Sequence, residues 1–174
     1  MMSSGTLWFQ RLFGLTKKKA LMIKINTISN NLAWKKYLGN PNQFIQRKVK
    51  NVNSRFKDYR KNIIFCTLLL SGNKEIKKLN KKFRKKNKTT DILSFPYYET
   101  KETRKRLKLN KNTYLGDIII NLYKIDKRES KFRKEFNKLL VHGLVHLLGH
   151  RHYKNIDFYK MIKVENKILK QLEC

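Results

Sequence analysis

Residues 62–71, NIIFCTLLLS, carry no charge, in a chain of 174 residues that holds 42 Lys and Arg and 12 Asp and Glu. A continuous apolar, partly β-branched run ended by Gly72 reads as a buried central strand. At roughly half the length of a transmembrane helix it is too short to cross a bilayer, and no membrane partner is expected. Whatever else the chain does, it has to build a sheet around this segment.

The flanking segments supply that sheet and its cover. MIKINTIS, from Met22, sets Ile23, Ile25 and Ile28 in loose alternation with polar residues, as in a half-buried strand. In NPNQFIQRKVKNVNSRF, Asn40 is a natural N-cap and Pro41 a natural first helical residue, and Ile45, Val49, Val52 and Phe56 recur at helical spacing. NKEIKKLNKKFRKK puts Ile76, Leu79 and Phe83 on one stripe. TTDILSFPYYE, 89–99, is extended, and Pro96 confines it to a sheet edge. Residues 100–113 lack a core face and read as an exposed basic loop. YLGDIIIN, 114–121, is a further strand with Gly116 at a bulge.

Ser130 to Leu148 is the strongest helix, with Phe132, Phe136, Leu139 or Leu140, Gly143 and Leu147 at a 3.6-residue period and Gly149 suited to close it. A last helix is expected to bury Ile156, Tyr159, Ile162 and Ile168 or Leu169. The order β-α-β-α-β-loop-β-α-α predicts an α+β fold, a small mixed β-sheet packed with helices, in one domain over residues 22–174. Residues 1–21 are basic and aromatic with no acidic member. They read as an N-terminal extension, either a misassigned start before Met22 or an organellar transit segment. Cys66 and Cys174 make no disulfide framework, which points to a reduced compartment: the cytoplasm, or a mitochondrion or other organelle if the extension is a transit segment.

The formal charge is +30. Such a field attracts polyanions, nucleic acid first and an anionic membrane surface second. A Lys- and Asn-rich genome produces the same composition, so charge alone does not name a partner.

All four histidines fall in LLVHGLVHLLGHRHY, 139–153. His142 and His146 are one helical turn apart and so share a face. Gly149 lets the chain reverse, which allows His152 to join them. Three neutral imidazoles with a fourth position left to water is the arrangement of a catalytic zinc, so one Zn²⁺ on His142, His146 and His152 is the expectation. His150 lies outside the spacing, near the ion or at the surface. A zincin peptidase carries Glu directly after its first His. Here that position is Gly143, and no protein carboxylate stands ready as the base.

Taken with LNKKFRKKNKTTDILSFP (79–96) and LGDIII (115–120), HGLVHLLGHRH resembles the signature of the YbeY family, in the right order over about residues 22–172. The resemblance implies a metal-dependent, single-strand-specific endoribonuclease with a zincin-like metal helix, acting in 16S rRNA 3′-end maturation and ribosome quality control. It implies rRNA and the small ribosomal subunit as partners, with a ribosome-assembly GTPase beside them. Arg84 matches the family's arginine and would hold a phosphate; its alternative is one more charge on the solvated KKFRKK face. Thr90 and Ser94, on the edge strand, would contact substrate. Asp91 and Asp117 would either bind the cation or brace a histidine, or else cap turns and answer lysines. Tyr97 and Tyr98 would stack on unpaired bases, with Phe95 assigned to the core. Arg151 stands where many members carry Asp, which removes one carboxylate that could orient an imidazole. Two other classes compete: a non-catalytic rRNA-binding assembly factor, and a zincin-type metallohydrolase that takes its base from elsewhere.

Overall fold

The computed structural model describes residues 20–54, 60–109, 112–151 and 155–173. Four strands form one sheet: β1 (Ala20–Ser29), β2 (Arg60–Ser71), β3 (Ile92–Pro96) and β4 (Thr113–Asn121). Their order is β1-β2-β4-β3, parallel except for β3, which runs antiparallel to β4. Pro96 sits on the edge strand, where its missing N–H costs no ladder bond. The α+β class and the mixed sheet are as the sequence predicts. β1 begins at Ala20, two residues ahead of Met22.

Six helices surround the sheet: α1 (Trp34–Leu38), α2 (Pro41–Ser54), α3 (Asn73–Arg84), α4 (Thr100–Lys108), α5 (Glu129–Leu147) and α6 (Asn155–Glu173). Helices α1, α2, α5 and α6 cover one face. There Ile64, Cys66, Leu68 and Leu70 of β2 and Leu115, Ile118 and Ile120 of β4 meet Ile45, Phe132, Phe136, Val141 and Val145 in the main core. Each such side chain contributes about 1.5–3 kcal/mol on burial. Trp34 is fully buried, edge-on to Phe132 and Phe136, and its indole N–H donates to the Ser71 carbonyl at 3.1 Å. The second face is only partly covered. Ile76 and Leu79 of α3 rest on Leu93 and Ile119, while Phe65 of β2 stays 40% exposed. Thus β2 is central in the sheet but buried on one face rather than two.

Three expectations are corrected. Residues 100–108 form helix α4, not a loop: Thr103 and Leu107, four apart, both face inward, with Leu107 1% exposed, and Glu102 pairs with Arg106 along the outer side. On α6, Ile168 is buried as expected, but Ile156 and Tyr159 are exposed, at 62% and 65%, and Met161 and Leu172 complete the buried stripe. Both stripes obey the helical period; the choice between them depends on what α6 packs against. Phe83, placed on the inner stripe of α3, is 54% exposed. The expected inward Phe56 lies outside the described residues. Helix α1 carries no periodicity long enough to be read from the sequence.

Candidate metal centre and cleft

Helix α5 crosses the sheet beside β3 and β4, and Gly143 lets it come close. A Cβ there would stand 2.8 Å from Ile118 Cγ2 and 3.1 Å from Ile92 Cδ1. Of the two uses a mid-helix glycine can have, close backbone approach is the one realised. A glutamate at this position would be driven into the sheet.

His142 and His146 then project from one face of α5 with their Nε2 atoms 3.0 Å apart. His142 Nδ1 lies 2.8 Å from Glu165 Oε1 on α6, and His146 Nδ1 lies 3.0 Å from the carbonyl of His150. Carboxylate and carbonyl oxygens only accept, so both Nδ1 atoms are the donors and both rings turn Nε2 to the same point. A proton or a cation shared between the two nitrogens would hold them at this distance. Two imidazole nitrogens on one tetrahedral Zn²⁺ at ordinary bond lengths are about 3.3 Å apart. The pair therefore fits such an ion.

The turn after α5 supplies the His150 carbonyl. Gly149 has φ +87°, its N–H donates to the His146 carbonyl at 2.9 Å, and the His150 N–H donates to the Val145 carbonyl at 3.1 Å. This left-handed closure is the one expected of Gly149. A side chain at 149 would also strike Thr100 of α4, 2.8 Å from its Cβ position. Thus His150 serves through its backbone, while burial and then the charge of Arg104 hold its imidazole below the usual histidine range. His152 lies outside the described residues. Among the described residues no three His, Cys, Asp or Glu side chains are grouped to hold an ion.

The histidine pair forms one wall of a cleft of about 460 Å³, lined also by Asn80, Arg84, Lys86, Lys88, Thr90 and Ser94. The structure thus brings Arg84, Thr90 and Ser94 together with His142 and His146. Arg84 donates through Nη2 to the Ser94 carbonyl at 3.0 Å, and its guanidinium lies over the Phe95 ring. It is exposed but anchored by these two contacts. Ser94 is 8% exposed. The Thr90 hydroxyl donates to Asp91 Oδ1.

Two buried asparagines hold the basic segment between α3 and β3. Asn80 Nδ2 donates to the Lys88 carbonyl at 2.7 Å, and Asn121 Nδ2 donates to the Thr90 carbonyl at 3.0 Å. Neither was singled out from the sequence, nor was Glu165; nothing in the spacing of α6 points to a histidine on another helix. Of the roles left open for the aspartates, Asp91 takes turn capping, accepting from the Ile92 N–H. Asp117 faces the second side of the sheet, away from α5, where it accepts from the Tyr114 hydroxyl at 2.5 Å. Of the three carboxylates, Glu165 is the one that braces a histidine. Phe95 is half-buried against Phe83 and Arg84, Tyr98 is half-buried, and Tyr97 is 64% exposed.

The fold and this site define an α+β protein with a helix-borne histidine pair set in a cationic cleft. The family model described as Endoribonuclease YbeY matches residues 28–173. An Endoribonuclease YbeY from Pelagibacter ubique is 42% identical over 86% of this chain and 95% of its own length. Another from Ehrlichia chaffeensis is 31% identical over 87% of this chain and 93% of its own. The chain belongs to the YbeY family of endoribonucleases. A solution structure of a Thermotoga maritima protein shares the fold, with TM-score 0.54 and 23% identity over 86% of this chain and 89% of that one.

Proposed function

We propose that this protein is a zinc-dependent, single-strand-specific endoribonuclease that matures the 3′ end of small-subunit 16S rRNA and serves ribosome quality control. The observation that carries this reading is the charge of the cleft: Arg84, Lys86 and Lys88 line it, and no carboxylate is among the described residues that do. A peptide has no need of such a wall; a phosphodiester does. Gly143 adds to the case against a peptidase, because a base directly after His142 has no room.

In this reading His142, His146 and His152 hold one Zn²⁺. In sequence His152 is two residues beyond His150, whose carbonyl accepts from His146. A zinc ion on these residues would supply Lewis acidity toward a phosphate oxygen or a bound water. The protein's own groups do the remainder. Glu165 and the His150 carbonyl keep both imidazoles in the tautomer that presents Nε2. Arg84, with one N–H spent on Ser94, offers its other donors to a scissile phosphate. Ser94 on the edge strand and Thr90, two residues ahead of that strand, align an extended substrate along the cleft. The partners are rRNA, the small ribosomal subunit and a ribosome-assembly GTPase, in the cytoplasm.

The test is His146→Ala on a metal-replete protein given a precursor rRNA with a single-stranded 3′ extension. Cleavage is expected to vanish while RNA binding stays within a few fold, and chelation of the wild type is expected to do the same. A wild type that leaves the extension uncut under these conditions overturns the enzymatic reading in favour of a binding role.

A further inference from the structure

The second face of the sheet carries a row of aromatic rings that the chemistry of the cleft does not use. Helix α3 covers only the part above Leu69, Leu93 and Ile119. Beyond it, the strand register sets Lys24 of β1 beside Phe65 of β2, and Phe65 beside Tyr114 of β4. The Tyr97 N–H donates to the Leu115 carbonyl at 2.9 Å, which seats Tyr97 next in the row. The rings touch in sequence: Phe65–Tyr114 at 5.3 Å, Tyr114–Tyr97 at 5.5 Å and Tyr97–Tyr98 at 4.7 Å between centroids.

This row is rigid and open. The Tyr114 hydroxyl is fixed between Thr67 at 3.0 Å and Asp117 at 2.5 Å, and the Tyr98 ring lies under the Arg106 guanidinium at 4.2 Å. Phe65 and Tyr97 remain 40% and 64% exposed. Asp117 is the acidic group bonded into the row, and its carboxylate is occupied by Tyr114. Cationic groups flank it on three sides: Lys24 on β1, Lys82 over Phe83 and Arg84 over Phe95 at the α3 side, and on α4 Arg106, which also pairs with Glu102. The row also joins the cleft. Ser94 lines the cleft, and Tyr97 is three residues further along the chain, just past the end of β3.

The geometry points to this face as a stacking platform for unpaired RNA bases that run out of the cleft across the β3 edge. Exposed rings held in place beside cations are how proteins bind single strands without reading sequence, because every base offers a flat π-face. Paired bases cannot use such a row, since their faces are already stacked. The platform would therefore supply the preference for single strands, with the cleft supplying the cut. This inference rests on the ribonuclease reading above, and its test separates the two.

The probe is an unstructured 12-nucleotide RNA, with a 12-base-pair RNA duplex of the same sequence as control, both titrated into the full chain. Phe65→Ala and Tyr97→Ala are each expected to weaken single-strand binding at least about fivefold and leave duplex binding within twofold. Equal weakening of both probes would mean that the residues act only through general charge or folding, and would overturn the proposal. So would unchanged binding of both, including the case in which the same variants lose the ribosomal subunit and the face proves to dock protein. Photocrosslinking of 4-thiouridine RNA to the wild type is independent of any variant's folding: crosslinks mapped to Phe65, Tyr97 or Tyr114 support the platform, and crosslinks confined to the cleft refute it. Cleavage by the wild type with no crosslink to the row defeats the platform alone. Absence of both binding and cleavage defeats the ribonuclease reading.

Discussion

Glu165 illustrates how one side chain from a distant helix sets the chemistry of another. Its carboxylate accepts a hydrogen bond from His142 Nδ1 at 2.8 Å and so turns Nε2 toward His146. Glu165→Ala is expected to lower zinc affinity about 10- to 100-fold with little change in the fold, measured by competition with a chromogenic chelator. An affinity equal to wild type would mean that the ring is held by α5 alone. Tyr114 gives a second residue-scale expectation. Burial first, and then the hydrogen bond to Asp117, push its hydroxyl up to about 12 from an ordinary 10. A folded-state pKa above the unfolded one means that the neutral form is stabilised. The contribution is therefore complete below pH 10 and is lost as pH rises through about 12. Urea titrations of the wild type between these limits are expected to show a decline that Tyr114→Phe flattens; equal slopes for both would show that the Asp117 bond does not couple to folding.

Among the elements, α4 is the one whose role only packing shows. Its sequence is strongly basic, and the inward residues Thr103 and Leu107 are too few to mark an amphipathic stripe. Leu107 is nonetheless 1% exposed within the main core. Leu107→Ala is expected to destabilise the protein by about 2–5 kcal/mol, read from urea unfolding midpoints at constant slope. A loop leucine would cost within about 0.5 kcal/mol, and a value that small would return residues 100–108 to the exposed loop of the sequence reading. The same element closes the turn below the histidines, since Thr100 occupies the space that a side chain at Gly149 would need. α4 thus links an unremarkable basic segment to the placement of the His150 carbonyl. α6 behaves alike: it has apolar residues on more than one stripe, and its contact with α5 selects the one that also presents Glu165.

For the whole molecule, the +30 charge lies on a scaffold with one cationic cleft and one open sheet face joined across an edge strand. Binding of a single-stranded RNA is expected to weaken by orders of magnitude between about 50 mM and about 200 mM salt, as released counterions dictate. Fluorescence anisotropy across that range checks it, and a flat response would mean that the lysines reflect composition rather than a polyanion partner.

Much of this molecule could be read along the chain, because the features concerned are local. The charge-free β2 run, the edge placement of β3 by Pro96, the bulge at Gly116 and the pairing of His142 with His146 each depend on backbone geometry within a few residues. So did the grouping of Arg84, Thr90 and Ser94 with the histidines, which followed from motif resemblance. Other features join segments far apart in sequence, and no local period encodes them: Glu165 reaching His142 across 23 residues, Asn121 holding Thr90 across 31, and Asp117 turned to Tyr114 on the far side of the sheet. Which stripe of α6 is inward, and how much of the second sheet face stays bare, follow from what packs opposite. Those choices are made by the neighbours, not by the segment.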